Sequence, residues 1–125
     1  HISTKSIARD GGVSNFRSSV VVLPNAKGSK SSVSCESLML DDLSRSDTLP
    51  VMDIQGDEAD IGHEATIGRI SEEAVFYLMC RGISEEEARA MIVRGFVEPI
   101  AKELPLEYAV EMNNLINIEL EGTMG

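Results

Sequence analysis

"ADIGHEATIGRISEEAVFYLMCRG", residues 59–82, changes its period part-way along. In its first half Ile61, His63, Ala65 and Ile67 alternate with Gly62, Glu64 and Thr66. A repeat of two places alternate side chains on opposite faces of a strand. From Ser71 the pattern is helical. Ser71 can cap a helix N-terminus, and Glu72 and Glu73 fall in the first turn, where the helix dipole favours carboxylates. The apolar run "AVFYLMC" (74–80) follows, and Gly82 ends it in the manner of many helix C-termini. The chain therefore passes from strands to helices near residue 70.

Upstream, residues 1–70 read as short extended segments. "FRSSVVVL" (16–23), "SSVSCESLML" (31–40), "LPVMDIQ" (49–55) and "ADIGHEATI" (59–67) are the candidate strands. "RDGGVS", "PNAKGSK" and "DDLSRSD" supply turn residues between them. Strands at near-regular intervals without intervening helices predict a sandwich, a barrel or a β-solenoid. Downstream, Ser84 and Glu87 form an S-x-x-E capping box that opens a second helix. Ala88, Met91, Ile92 and Gly95 are expected on one face of it, and Gly95 with Pro99 to break or bend it. A last helix is predicted from Pro105 to Gly122, with Tyr108, Met112, Leu115 and Ile116 as its buried stripe. The result is a bundle of three or four helices with an acidic exterior.

Composition narrows the function classes. The chain has 125 residues, 42% of them apolar, with five aromatics, so Val, Ile, Leu, Met and Ala must make the core. The longest apolar run is far shorter than a bilayer span. The net charge is −10, and residues 71–125 hold most of it, with four Lys/Arg against eleven Asp/Glu. Such a surface repels nucleic acid and anionic membranes, and neither is an expected partner. Two cysteines are too few for a disulfide framework, which suggests reduced thiols in a cytosol-like compartment. Because the chain begins at His1 with "HISTKSIARD" and shows no signal peptide, we expect a C-terminal piece of a longer protein.

Few residues offer chemistry. "KGSKSS" (27–32) fails the phosphate-loop pattern because Ser29 stands where glycine is required, so the chain is not itself a Walker-type ATPase. Asp53, Asp57, Glu58 and Asp60 miss the calcium-loop spacing and read as a solvated acidic edge. Cys35 shares a strand face with Val33, Ser37 and Met39, and is either a small core thiol or a thiolate ligand or sulfur carrier. Cys80, within an apolar helix, is expected in the core. His63 and Glu64 fall on opposite faces of a regular strand and can serve one site only if a bulge occurs near Gly62.

"SCESLML" (34–40), "GHEATIGRISEEAVFYLMCRGISEEEA" (62–88), "IVRGF" (92–96) and "LPLEYAVEMNNLINIELEG" (104–122) together resemble the C-terminal end of the SufB/SufD family of iron–sulfur cluster assembly scaffolds. Cys35 beside the His-Glu pair makes the likeness closer to the SufB branch. The resemblance implies a fold that is mainly β with α. Residues 1–70 would be the last coils of a right-handed parallel β-helix, and residues 71–125 a helical domain that docks an ABC-type ATPase subunit. It implies a scaffold rather than an enzyme, with a transient iron–sulfur cluster as cargo in the full-length complex and none held by this piece alone. Implied partners are a SufD-like paralogue, a SufC-like ATPase and sulfur-donor proteins, in the cytoplasm or a plastid stroma. Cys35, Glu64 and, more weakly, His63 correspond to the nascent cluster site; thiolate suits iron, with imidazole and carboxylate as weaker ligands. On the helical domain, Phe96 and Ile100 would anchor the ATPase, and Glu85, Glu86 and Glu87 would steer it. The open end of the β-helix would be sticky enough for a homodimer of the piece. The rival reading is an interaction module without metal, a β-helix end plus a helical docking platform, which leaves Cys35 without purpose.

Overall fold

A computed structural model describes residues 1–121. Five strands precede three helices: β1 (Ile2–Ala8), β2 (Val13–Val22), β3 (Ser29–Met39), β4 (Arg45–Ile54), β5 (Ala59–Arg69), α1 (Glu72–Met79), α2 (Glu85–Ala101) and α3 (Leu106–Glu121). They fall into two compact units, His1–Ile70 and Ser71–Gly125. The expected helix end at Gly122 lies outside the described residues.

In the first unit the chain alternates between two sheets. β1, β3 and β5 form one, in that order, and β2 and β4 form the other; every pairing is parallel. Parallel neighbours need a crossover, and here each crossover carries a strand of the opposite sheet. Ile2 lies beside Val33, and Val33 beside His63, so successive rungs lie 31 and then 30 residues apart. "HISTKSIARD" begins mid-strand in character but is not among the candidate strands; its "ISTKSIA" pairs with β3 along its whole length.

Residues paired in parallel register share a face. Val33, Cys35, Ser37 and Met39 of β3 are all buried, as their alternation predicts. The interior between the sheets is partly polar. Ser6 Oγ and Ser46 Oγ both donate to Ser37 Oγ, at 2.8 and 2.7 Å, which ties β1, β3 and β4 together. On the outer face Lys5 Nζ donates to Glu36 Oε2 at 2.8 Å. Pro50 sits in β4, which, like its one partner β2, is an edge strand, where a missing N–H is tolerated.

The turns stack as the strands do. Asp10 and Gly11 adopt positive φ, and a side chain on Gly12 would meet the Arg9 carbonyl at 2.9 Å. Asp41, in the β3–β4 turn, reaches back to this corner. Its carboxylate accepts from the backbone N–H groups of Asp10, Leu43 and Ser44 and from the Ser44 hydroxyl. Desolvation works against the charged form, but these four donors outweigh it and hold the Asp41 carboxyl below its ordinary range.

The helical unit keeps its predicted caps. Ser71 Oγ accepts from Ala74 N–H at 3.1 Å, and Ser84 Oγ from Glu87 N–H at 3.3 Å. Gly82 takes φ +88° and closes α1, and Ile83 N–H donates to the Leu78 carbonyl. Arg89 joins α1 to α2 by bonding both Glu72 and Glu85. Partial burial opposes its charge, yet the hydrogen bonds and charges of Glu85 and Glu72 prevail and strengthen its hold on the proton. Arg94 joins α2 to α3 through Asn117 and also binds Glu87.

The buried faces of the helices differ from expectation. Cys80 is exposed. Val75 is the buried anchor of α1, and Cys80, five residues on, points about 140° away round the helix. α2 runs unbroken through Gly95 and Pro99. Proline clashes with the carbonyl four residues back. Here that residue is Gly95, and packing of Ala88, Ala90 and Val93 on the buried side holds the helix together. Of the predicted stripe, Ala88 is buried and Ile92 half-buried, but Met91 and Gly95 are exposed, and Ala90 and Val93 complete the buried side. In α3, Tyr108 and Leu115 are exposed, and Ala109, Met112, Ile116 and Leu120 are half-buried.

Candidate functional site

β3 carries Cys35 into the space between the sheets, where it is 3% exposed. Thr4 of β1 and Ala65 of β5 flank it on its own rung. His63 occupies the neighbouring rung, beside Val33, on the same inner face. The ring and the thiol meet: Cys35 Sγ lies 3.6 Å from His63 Nε2. The meeting follows from register, because residues 28 apart in sequence become diagonal neighbours across a parallel pair.

Glu64 is not brought to this pair. β5 keeps its register with β3 from Ala59 to Arg69 without a skip, so no bulge turns the strand. Glu64 pairs with Ser34 on the outer face and is exposed. A thiol and an imidazole are two donors suited to a soft or borderline metal. Among the described residues no group of three or more His, Cys, Asp or Glu side chains could hold a metal ion. Cys35 of β3 and His63 of β5 thus share the inner face of the sheet, and Glu64 is a separate carboxylate on the outer face.

On α2, Phe96 and Ile100 are half-buried, with part of each side chain at the surface. Glu85 and Glu87 already bind Arg89 and Arg94, so Glu86 is the most available of the three carboxylates. Glu86, Glu87, Arg94, Asn117 and Leu120 help to line a cavity of about 270 Å³ between α2 and α3. A residue not singled out from sequence is Asp41; the Asp-x-x-Ser pattern of "DDLS" is the signal that could have marked it as a turn clamp.

The family model of the SUF system FeS cluster assembly SufBD core domain matches residues 1–96, which include Cys35, His63 and Glu64. The chain belongs to the SufBD family. It is 55% identical over 125 residues to an iron–sulfur cluster assembly SufBD family protein of Mycobacterium leprae, covering 100% of this chain and 14% of that one. It is 52% identical over 124 residues to an iron–sulfur cluster assembly SufBD family protein of Staphylococcus saprophyticus, covering 99% of this chain and 27% of the relative. The chain thus spans between about a seventh and about a quarter of the length of these curated SufBD relatives. The SufBD match takes in all five strands, α1 and most of α2. No helix among the described residues is long and apolar enough to cross a membrane.

Proposed function

We propose that this chain is part of a SufB-like scaffold on which an iron–sulfur cluster is assembled and then passed on. The observation that carries the reading is the 3.6 Å approach of Cys35 to His63 within the SufBD core match. In this reading the two parallel sheets are the last coils of a right-handed β-helix, and the 30–32-residue offset between paired strands is one coil. Cys35 supplies the strong thiolate ligand to the iron and His63 a weaker nitrogen. A set with one thiolate holds iron less firmly than four thiolates would, which suits cargo that must leave. Glu64, on the outer face, serves where a SufD-like paralogue docks. The chain binds and positions iron and sulfur from donor proteins, while a separate SufC-like ATPase, docked on the helical unit through Phe96, Ile100 and Glu85–Glu87, supplies the energy.

The test is maturation of iron–sulfur client proteins in cells that carry the full-length protein with single substitutions. Cys35→Ala is expected to abolish maturation, and Cys80→Ala to leave it intact. Normal maturation with Cys35→Ala contradicts the assignment. For docking, Phe96→Ala should speed dissociation of the ATPase subunit in surface plasmon resonance, and Glu86→Gln should slow association at low salt only.

A further inference from the structure

Cys35 is buried, whereas a residue that receives iron or sulfur must be reachable. On the β1 side Thr4 stands next to it, and among the described residues no further strand of this sheet lies beyond β5. β5 could shield the thiol with the residue of the same rung, but that residue is Ala65, which has only a methyl group and is itself exposed. The large side chain that touches the thiol from β5 is His63, half-buried, with Nε2 3.6 Å from Sγ. An imidazole turns on two side-chain torsions, and rotamer changes of partly exposed side chains need no backbone opening.

We propose that His63 is a gate over Cys35: its ring covers the thiol, and Cys35 becomes reachable to a soft metal ion, or to a thiol-directed electrophile such as a maleimide, when the ring swings off it. The inference rests on the reading of Cys35 as the cluster thiol and adds the group that controls access to it. His63 is then a positioning and covering residue first and an iron ligand only after it has moved.

The experiment is alkylation of the full-length protein with N-ethylmaleimide under anaerobic conditions, with the modified Cys35 and Cys80 peptides quantified by mass spectrometry over time. Exposed Cys80 is the reference within the same molecule. In the unsubstituted protein Cys35 should react much more slowly than Cys80. His63→Ala should raise the Cys35 rate by about tenfold or more while the Cys80 rate stays the same. His63→Phe retains a ring without its nitrogens and should keep Cys35 slow. An unchanged rate in His63→Ala overturns the gate. So does a folded His63→Phe variant as fast as His63→Ala, because the ring's chemistry rather than its bulk would then set the rate. If His63→Ala fails to fold, its lowered thermal midpoint reveals this, and the smaller polar His63→Ser takes its place, with the same rise expected and an unchanged rate equally overturning the gate. Normal client maturation with Cys35→Ala would end the cluster-site reading, while the alkylation rates would still settle whether His63 covers the thiol.

Discussion

The strand unit and the helical unit are held together across different distances along the chain. In the strand unit many of the side-chain bonds join residues 27–31 apart: Lys5 to Glu36, Ser6 to Ser37, Asp10 to Asp41, Cys35 to His63 and Arg69 to Asp42. In the helical unit, caps three residues away start α1 and α2, the Glu85–Arg89 pair four apart supports α2, and Arg89 and Arg94 then join neighbouring helices. Each rung must close a loop of about thirty residues before it gains anything, whereas a helix turn forms locally. Side-chain packing therefore decides the strand unit, while local preference carries part of the helical one.

Two matched truncations should expose that difference most strongly. Val33 of β3 and Val93 of α2 are each 1% exposed. Val→Ala removes the same two methyl groups at both. In the strand the change also discards a favoured β-branched residue, and in the helix it gains a better helix former. Chemical denaturation should give about 2–3 kcal/mol for Val33→Ala and about 1–2 kcal/mol for Val93→Ala. Equal losses, or a larger one at Val93, would break the contrast.

Acid should sharpen it next. The Asp41 carboxyl is lowered in the folded chain, so the unfolded chain binds its proton more readily. Its stabilisation is present above the ordinary carboxylate value and is lost as pH falls through the lowered folded one. Asp41→Asn should lower stability at neutral pH and flatten the acid limb of a stability–pH curve. Acid limbs that superimpose would show that the clamp contributes nothing.

The caps should matter least. Ser71→Ala and Ser84→Ala are each expected to cost about 0.5–1 kcal/mol, at the low end for N-caps because both serines are exposed. Thermal unfolding reads the shift.

These distances also explain what was legible in the sequence. The face shared by Val33, Cys35, Ser37 and Met39 could be read because β3 alternates strictly, and the caps at Ser71 and Ser84 because they act within three residues. The buried sides of α1 and α3 could not, since both helices carry apolar residues on most sides and partners choose the face. Cys80, Tyr108 and Leu115 were misplaced for that reason. The inward direction of His63 was readable, but its meeting with Cys35 was not, because register across a 28-residue separation leaves no local mark. Opposite faces for His63 and Glu64 followed from alternation, and the regular pairing of β5 keeps them apart.

The central claim is that Cys35, with His63 beside it, receives the cluster. Anaerobic reconstitution of the full-length protein with iron and sulfide, read by Mössbauer and visible absorption spectra, tests it most directly. The account predicts cluster signals in the unsubstituted protein and in Cys80→Ala, and their loss in Cys35→Ala while its thermal midpoint shows a folded chain. A folded Cys35→Ala protein that reconstitutes as fully as the unsubstituted one would contradict it.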